Sequence, residues 1–157
     1  MSVGHAFGTW LLARGVRKAT LGGDVRLSTT RIKAAAAAGM MKAGISVTDI
    51  GFVSTPTFYW SMYHLGADGG LMVTGSHNPK EFNGLKVAYD KATLWGDDIR
   101  EIMRIIKEDR MVTADDPGSL RFAGINEEYL DMLVSKIKLG PRKPKIVCDS
   151  GNGKAVI

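Results

Sequence analysis

The 157-residue chain carries 21 Lys+Arg against 16 Asp+Glu, a formal net charge of +5, and 45% of its residues are apolar. That balance excludes a disordered or low-complexity segment and matches one compact unit with a sizeable core. The single cysteine, Cys148, excludes an intramolecular disulfide and a multi-cysteine zinc cluster, and no apolar run approaches the roughly 20 residues of a membrane span. The expected setting is a reducing cytoplasm, away from any membrane. Charge is uneven, with seven Lys/Arg and one Asp in residues 1–48. An anionic small molecule or a nucleic acid would suit that surplus. The basic-aromatic interleaving and zinc spacing of many nucleic-acid binders are missing, so nucleic acid ranks last and no such partner is expected.

In chain order, Val3, Ala6, Phe7, Trp10 and Leu11 recur at helical spacing, which predicts a helix from Val3 to Ala13 with Gly15 as its stop. A short strand is expected at Ala19–Gly22. Ser28 and Thr29 can cap a second helix that runs through the alanines to Ala43, where Gly44 ends it. Ile45 and Val47 then alternate with Ser46 and Thr48, the period of a strand. Thr55 reads as an N-cap with Pro56 at the first helical position, and the helix it opens is apolar nearly all round, so burial is expected. Gly69–Thr74 and Leu85–Tyr89 read as strands, the second started by the Asn83-Gly84 turn.

Asp97–Arg110 and Asn126–Ile137 read as helices separated by Pro117-Gly118. Lys145–Cys148 reads as a strand that buries Cys148 as an inert thiol, and Asp149-Ser150-Gly151-Asn152-Gly153 as the opening of a further helix. Trp10, Tyr59, Trp60, Tyr63, Met40 and Met41 are expected in core or interface packing. Alternating strands and helices imply an α/β fold, three layers (α/β/α) around a mainly parallel, mixed sheet that is incomplete at both ends. Residues 1–140 are expected to form one domain and 141–157 the start of a second.

The stretch richest in chemistry is Thr74-Gly75-Ser76-His77-Asn78-Pro79, at the end of an expected strand, followed by Asn83-Gly84-Leu85-Lys86. Ligands of open α/β sheets sit beyond the carboxyl ends of strands, which is where Ser76 would be displayed. Gly75 lets the backbone turn and Pro79 stiffens the exit, so the intervening amides and hydroxyl could face one anionic group, with Lys86 reaching back to it. A plain polar turn would use the same residue types. A Ser-His hydrolase is discounted, because adjacent residues seldom place an imidazole on the neighbouring hydroxyl and no G-x-S-x-G elbow is present. His5 and His64 lie on expected helices without ligand partners and support no metal site.

This string resembles the phosphoserine loop of the α-D-phosphohexomutases. Agreement extends to Gly22-Gly23-Asp24-Val25-Arg26-Leu27-Ser28, similar to the family's Gly-Arg-Asp-x-Arg-x-Ser segment, and to Asp49-Ile50-Gly51 with Thr55-Pro56, in register from about Gly4 onward. The Gly of Thr-Gly-Ser-His-Asn-Pro looks most like the phosphomannomutase/phosphoglucomutase branch. The resemblance implies a phosphorylated Ser76 that exchanges its phosphoryl group with hexose phosphates, interconverting the 6- and 1-phosphates through a hexose 1,6-bisphosphate that also acts as activator. It implies catalytic roles for Ser76, His77 and Lys86. Thr74, Gly75, Asn78 and Arg26 would bind substrate or phosphate, with Arg26 near the floor in a supporting role and Asp24 bracing the loop. Mg²⁺ would sit on the Ser76 phosphate.

The same resemblance marks departures. The family's first strand, with its Gly-x-Arg-Gly arginine, has no counterpart, and Gly23 replaces the commoner Arg. The magnesium loop Asp-Gly-Asp-Gly-Asp-Arg belongs to a second domain of the family, and the sugar-reading and phosphate-gripping loops to a third and fourth. The implied chain is a first domain with a stub, dependent on the remaining domains of a parent enzyme and with little or no turnover alone. A missing first strand would uncover a sheet edge and favour self-association. The competing reading is a catalytically silent domain of the same fold that binds an anion or a protein.

Overall fold

The computed structural model describes residues 1–151. Among them the elements run α1 (Ser2–Leu12), β1 (Lys18–Gly23), α2 (Thr29–Lys42), β2 (Ser46–Phe52), α3 (Thr55–His64), β3 (Gly69–Val73), β4 (Leu85–Tyr89), β5 (Ala92–Thr93), α4 (Asp97–Lys107), β6 (Leu120–Phe122) and α5 (Asn126–Lys136). The strands form one mixed sheet in the order β5-β4-β3-β1-β2-β6. β1 pairs in parallel with β2 and β3, and β2 with β6, while β4 returns antiparallel to β3 and carries β5.

Strand alternation sends Ala19, Leu21, Val47, Leu71, Val73 and Val87 to one face, where they pack with Phe7, Trp10 and Leu11 of α1, Met40 of α2 and Ile102 and Ile105 of α4. Ile50, Met72 and Ala88 face the other way, toward Phe58 and Met62 of α3 and Ile125 ahead of α5. Two helical layers thus sandwich a mainly parallel sheet, the expected α/β/α order. α1 and α2 meet through small residues. A Cβ on Gly4 would lie 2.3 Å from the Ala36 carbonyl oxygen, and one on Gly8 2.8 Å from the Ala43 Cβ. α2 ends in a Schellman motif: Gly44 at φ +90° donates to Met41 O, and Ile45 N donates to Met40 O.

Several expectations are corrected. The N-cap of α3 is Ser54, whose side chain accepts from Thr57 N, because Ser54 holds the extended backbone that a cap needs while Thr55 is already helical. Ser28 precedes α2 without a side-chain cap bond. α3 is only half buried, and Tyr63 is 64% exposed with Lys91 over its ring. β5 and β6 were not expected. β6 forms because the outer edge of β2 is free to pair: Val47 N donates to Ser119 O, Ala123 N to Asp49 O, and Arg121 Nε to Thr48 Oγ1.

Lys145–Cys148 forms no strand and Cys148 is exposed, since none of the described strands pairs with it. Asn152 and Gly153, and the helix expected to open there, lie outside the described residues. The two sheet edges are the two-residue β5 and the three-residue β6, short enough to limit edge pairing. No described helix is long and apolar enough to cross a membrane.

Candidate active site

β1 and β3 are parallel neighbours, so the turn after Gly23 and the loop after Val73 emerge side by side at the carboxyl end of the sheet. Asp24 N donates to Val73 O and Thr74 N to Gly84 O, which pins both ends of the Ser76 loop to the sheet. Asp24 joins the two segments. Its Oδ1 accepts from Arg26 N (3.1 Å) and Thr29 Oγ1 (2.6 Å), and its Oδ2 accepts from Gly75 N (3.0 Å). Burial alone would raise the Asp24 pKa. The bonds from the Thr29 hydroxyl, the Arg26 and Gly75 amides and Thr74 together outweigh it and hold the carboxyl below its ordinary 3.8. The bracing role expected of Asp24 is what this geometry provides.

Arg26 crosses to the loop from the β1 side. Nη1 donates to Pro79 O (2.6 Å) and Phe82 O (2.9 Å), Nη2 to Asn78 O (2.6 Å) and Ser76 O (3.3 Å), and Nε lies 3.4 Å from Asp24 Oδ2. These bonds agree with the supporting role expected of Arg26 near the floor of the site. All four terminal N–H groups are already engaged with carbonyls, so gripping an anion would break the loop's own support. Gly75 packs beneath this side chain, and a Cβ there would fall 2.3 Å from the guanidinium carbon. Thr74 also serves the loop, its Oγ1 accepting from Ser76 N at 3.0 Å.

Ser76 itself is exposed, and its backbone is left-handed at φ 49°. His77 Nδ1 lies 3.4 Å from Ser76 Oγ, a long contact between adjacent residues. Asn78 closes the turn with its amide on Gly75 O and leaves its side chain at the surface. Lys86 stands on β4 opposite Met72, half-buried, and its ammonium has no hydrogen-bond or ion-pair partner among the described residues. Asn83, read from sequence only as a turn residue, ties the return of the loop to α2 by donating to Ser28 Oγ and Thr29 Oγ1. Away from the site, His5 Nε2 bonds Val112 O and His64 stacks on Trp60.

The fit to Mg²⁺ can be tested on the donor set. Among the described residues no three His, Cys, Asp or Glu side chains converge to hold a metal, and Asp24, the carboxylate that braces this loop from the β1–α2 turn, is occupied by donors from Arg26, Thr29 and Gly75. These residues alone do not fit a resident Mg²⁺.

The chain is similar to known proteins over most of its length. A family model described as phosphoglucomutase/phosphomannomutase, alpha/beta/alpha domain I, covers residues 1–113. The chain belongs to the phosphoglucomutase/phosphomannomutase family. A phosphomannomutase of Escherichia coli is 40% identical over 159 residues, which span 98% of this chain and 34% of that protein. A phosphoglucomutase of Neisseria gonorrhoeae is 36% identical over 151 residues, 96% of this chain and 33% of that protein. A solved phosphoglucomutase/phosphomannomutase family protein from Burkholderia thailandensis superposes with a TM-score of 0.82 at 34% identity, over 88% of this chain and 31% of its own. The chain thus spans about a third of the length of the relatives it matches.

Proposed function

We propose that this chain is the phosphoserine-bearing part of a phosphohexomutase that interconverts the 6- and 1-phosphates of mannose or glucose. The observation that carries the reading is the exposed Ser76 hydroxyl on a loop locked to the sheet from both sides, in a chain of this family. In the forward half-reaction a sugar hydroxyl oxygen attacks the phosphorus of phospho-Ser76. The Oγ–P bond breaks, its electron pair stays on Oγ, and the sugar's proton leaves to a base. The resulting hexose 1,6-bisphosphate turns over and returns its other phosphoryl group to Oγ. In this reading His77, whose Nδ1 lies 3.4 Å from Oγ, takes that proton, and the Lys86 ammonium, unpartnered among the described residues, supplies positive charge on the strand leaving the loop.

Bound Mg²⁺ would neutralise charge on the phosphate, and its carboxylate donors would have to come from the remaining domains of a parent chain. The isolated chain therefore has little or no mutase turnover. The test is incubation with a hexose 1,6-bisphosphate followed by peptide mass analysis. The expected result is one phosphoryl group on the peptide containing Ser76, absent in Ser76→Ala. A folded chain that stays unlabelled would overturn the proposal and leave a silent anion- or protein-binding domain.

A further inference from the structure

We propose that Arg26 is the positioning residue of the Ser76 loop, turning four loop carbonyls inward so that backbone N–H groups are left facing the anion on Ser76. This inference rests on the functional reading above and deepens it. In a trans peptide the N–H points away from the preceding C=O, and the described chain has no cis bonds. Drawing Ser76 O and Pro79 O onto the guanidinium therefore directs the amides of His77 and Lys80 away from it. Neither amide has a partner among the described residues. Both amides are thus left as free donors for phosphate oxygens.

The loop needs an outside organiser. Ser76 at φ 49° occupies a region that a residue with a Cβ seldom adopts, and such a conformation persists only where its surroundings over-determine it. Within the loop, the backbone bonds Asn78 N to Gly75 O and Phe82 N to Pro79 O are single-turn contacts. Arg26 spans all of it, from Ser76 to Phe82, with one rigid fork whose side chain is 17% exposed. Asp24 aims that fork through its 3.4 Å ion pair with Nε and holds Gly75 N in place at the same time. The pair thus works from the β1–α2 turn on a loop about fifty positions further along the chain.

The experiment compares the chain with its Arg26→Ala and Arg26→Lys variants. One readout is amide hydrogen exchange at Gly75 and Asn78. The other is single-turnover labelling of Ser76 at increasing hexose 1,6-bisphosphate. In Arg26→Ala, exchange at both amides should rise by at least about 10-fold. Labelling at saturating donor should slow on the order of 100-fold, while the half-saturating concentration moves less than about 3-fold. Millimolar guanidinium ion should restore both, filling the space between the carbonyls. Arg26→Lys should resemble the alanine variant, because one ammonium cannot reach four carbonyls. A raised half-saturating concentration with an unchanged saturating rate would make Arg26 an anion ligand and overturn the proposal, as would a lysine variant equal to wild type. If Arg26→Ala fails to fold, the lysine variant decides. If wild type takes no label, the mutase reading fails. Exchange then decides the clamp alone, and unchanged protection in the variants overturns it.

Discussion

Replacing Asp24 with Asn tests the link between sheet and loop. The amide keeps the carboxylate's shape but only one acceptor. With its oxygen toward Gly75 N, the NH₂ can donate to the Thr29 hydroxyl, which turns around, and the Arg26 amide is left facing a donor. With the reverse orientation Gly75 N is left unpaired. One unpaired, partly buried amide costs about 1–3 kcal/mol. Loss of the ion pair to Arg26, with side chains 17% and 22% exposed, adds about 1 kcal/mol at most. The variant should be less stable by about 2–3 kcal/mol, and with a urea slope of about 2 kcal/mol per molar its midpoint should drop by about 1 M. Tryptophan fluorescence during urea titration reads this directly.

The pH dependence follows from the depressed carboxyl. A group whose folded pKa lies below its unfolded value stabilises fully above the unfolded pKa and loses that contribution as pH falls through the folded one. The gap between wild type and Asp24→Asn should therefore be complete at neutral pH and close as the solution is acidified below 3.8. Equal midpoints at neutral pH would refute the bracing role. A gap of constant size into strong acid would refute its electrostatic origin.

Lys86→Met should slow Ser76 labelling by about 100-fold, because in the proposed function its charge faces the transferring phosphoryl. Its stability should stay level or rise, since a half-buried ammonium without a partner is a desolvation burden; a clear loss of stability in a urea melt would show that Lys86 is structural. Gly4→Ala sets helix propensity against packing. Alanine favours the helix by about 1 kcal/mol, yet its Cβ at 2.3 Å from Ala36 O forces α1 away from α2, and net destabilisation of about 1–3 kcal/mol is expected. Gly124→Ala, with nothing within 4 Å, is the control, and a Gly4 variant as stable as wild type would refute the close seam.

Element order, the parallel sheet and the place of Ser76 at a strand end were legible because apolar periodicity and turn residues are carried by side chains. β6 was not. Leu120-Arg121-Phe122 is too short to show a period, and it exists because β2 offers a free edge and the backbone of 114–118 is tied to α2 through Ala114 N on Lys42 O and Gly118 N on Met41 O. The N-cap slipped by one residue because Ser54 and Thr55 are equally good caps by type, and backbone conformation alone separates them. The supporting role of Arg26 was legible through the family resemblance, but its partners were hidden for a related reason. Its partners are four carbonyl oxygens, which every residue possesses, so no choice of residue type at 76, 78, 79 or 82 announces them. Cys148 was misread because a strand-like pattern needs a neighbouring strand to become one.

The basic first third of the sequence also changes meaning once folded. Of its seven cations, Arg14 lies 3.4 Å over the Trp10 ring and bonds Trp10 O, Arg26 is enclosed by the Ser76 loop, and Lys33 is buried on Asp49 Oδ1 and Gly51 O. Arg26 and Lys33 thus turn inward while Arg14, though exposed, lies against Trp10, which weakens the case for a broad electropositive surface toward nucleic acid. What remains at the loop is local: Lys86 without a partner among the described residues, Lys80 exposed, and amides turned outward by the Arg26 guanidinium. Charge held this way is aimed at one phosphoryl position rather than spread along a polyanion. Labelling of Ser76 should accordingly weaken only modestly with added salt, whereas a polyanion-binding face would lose affinity steeply.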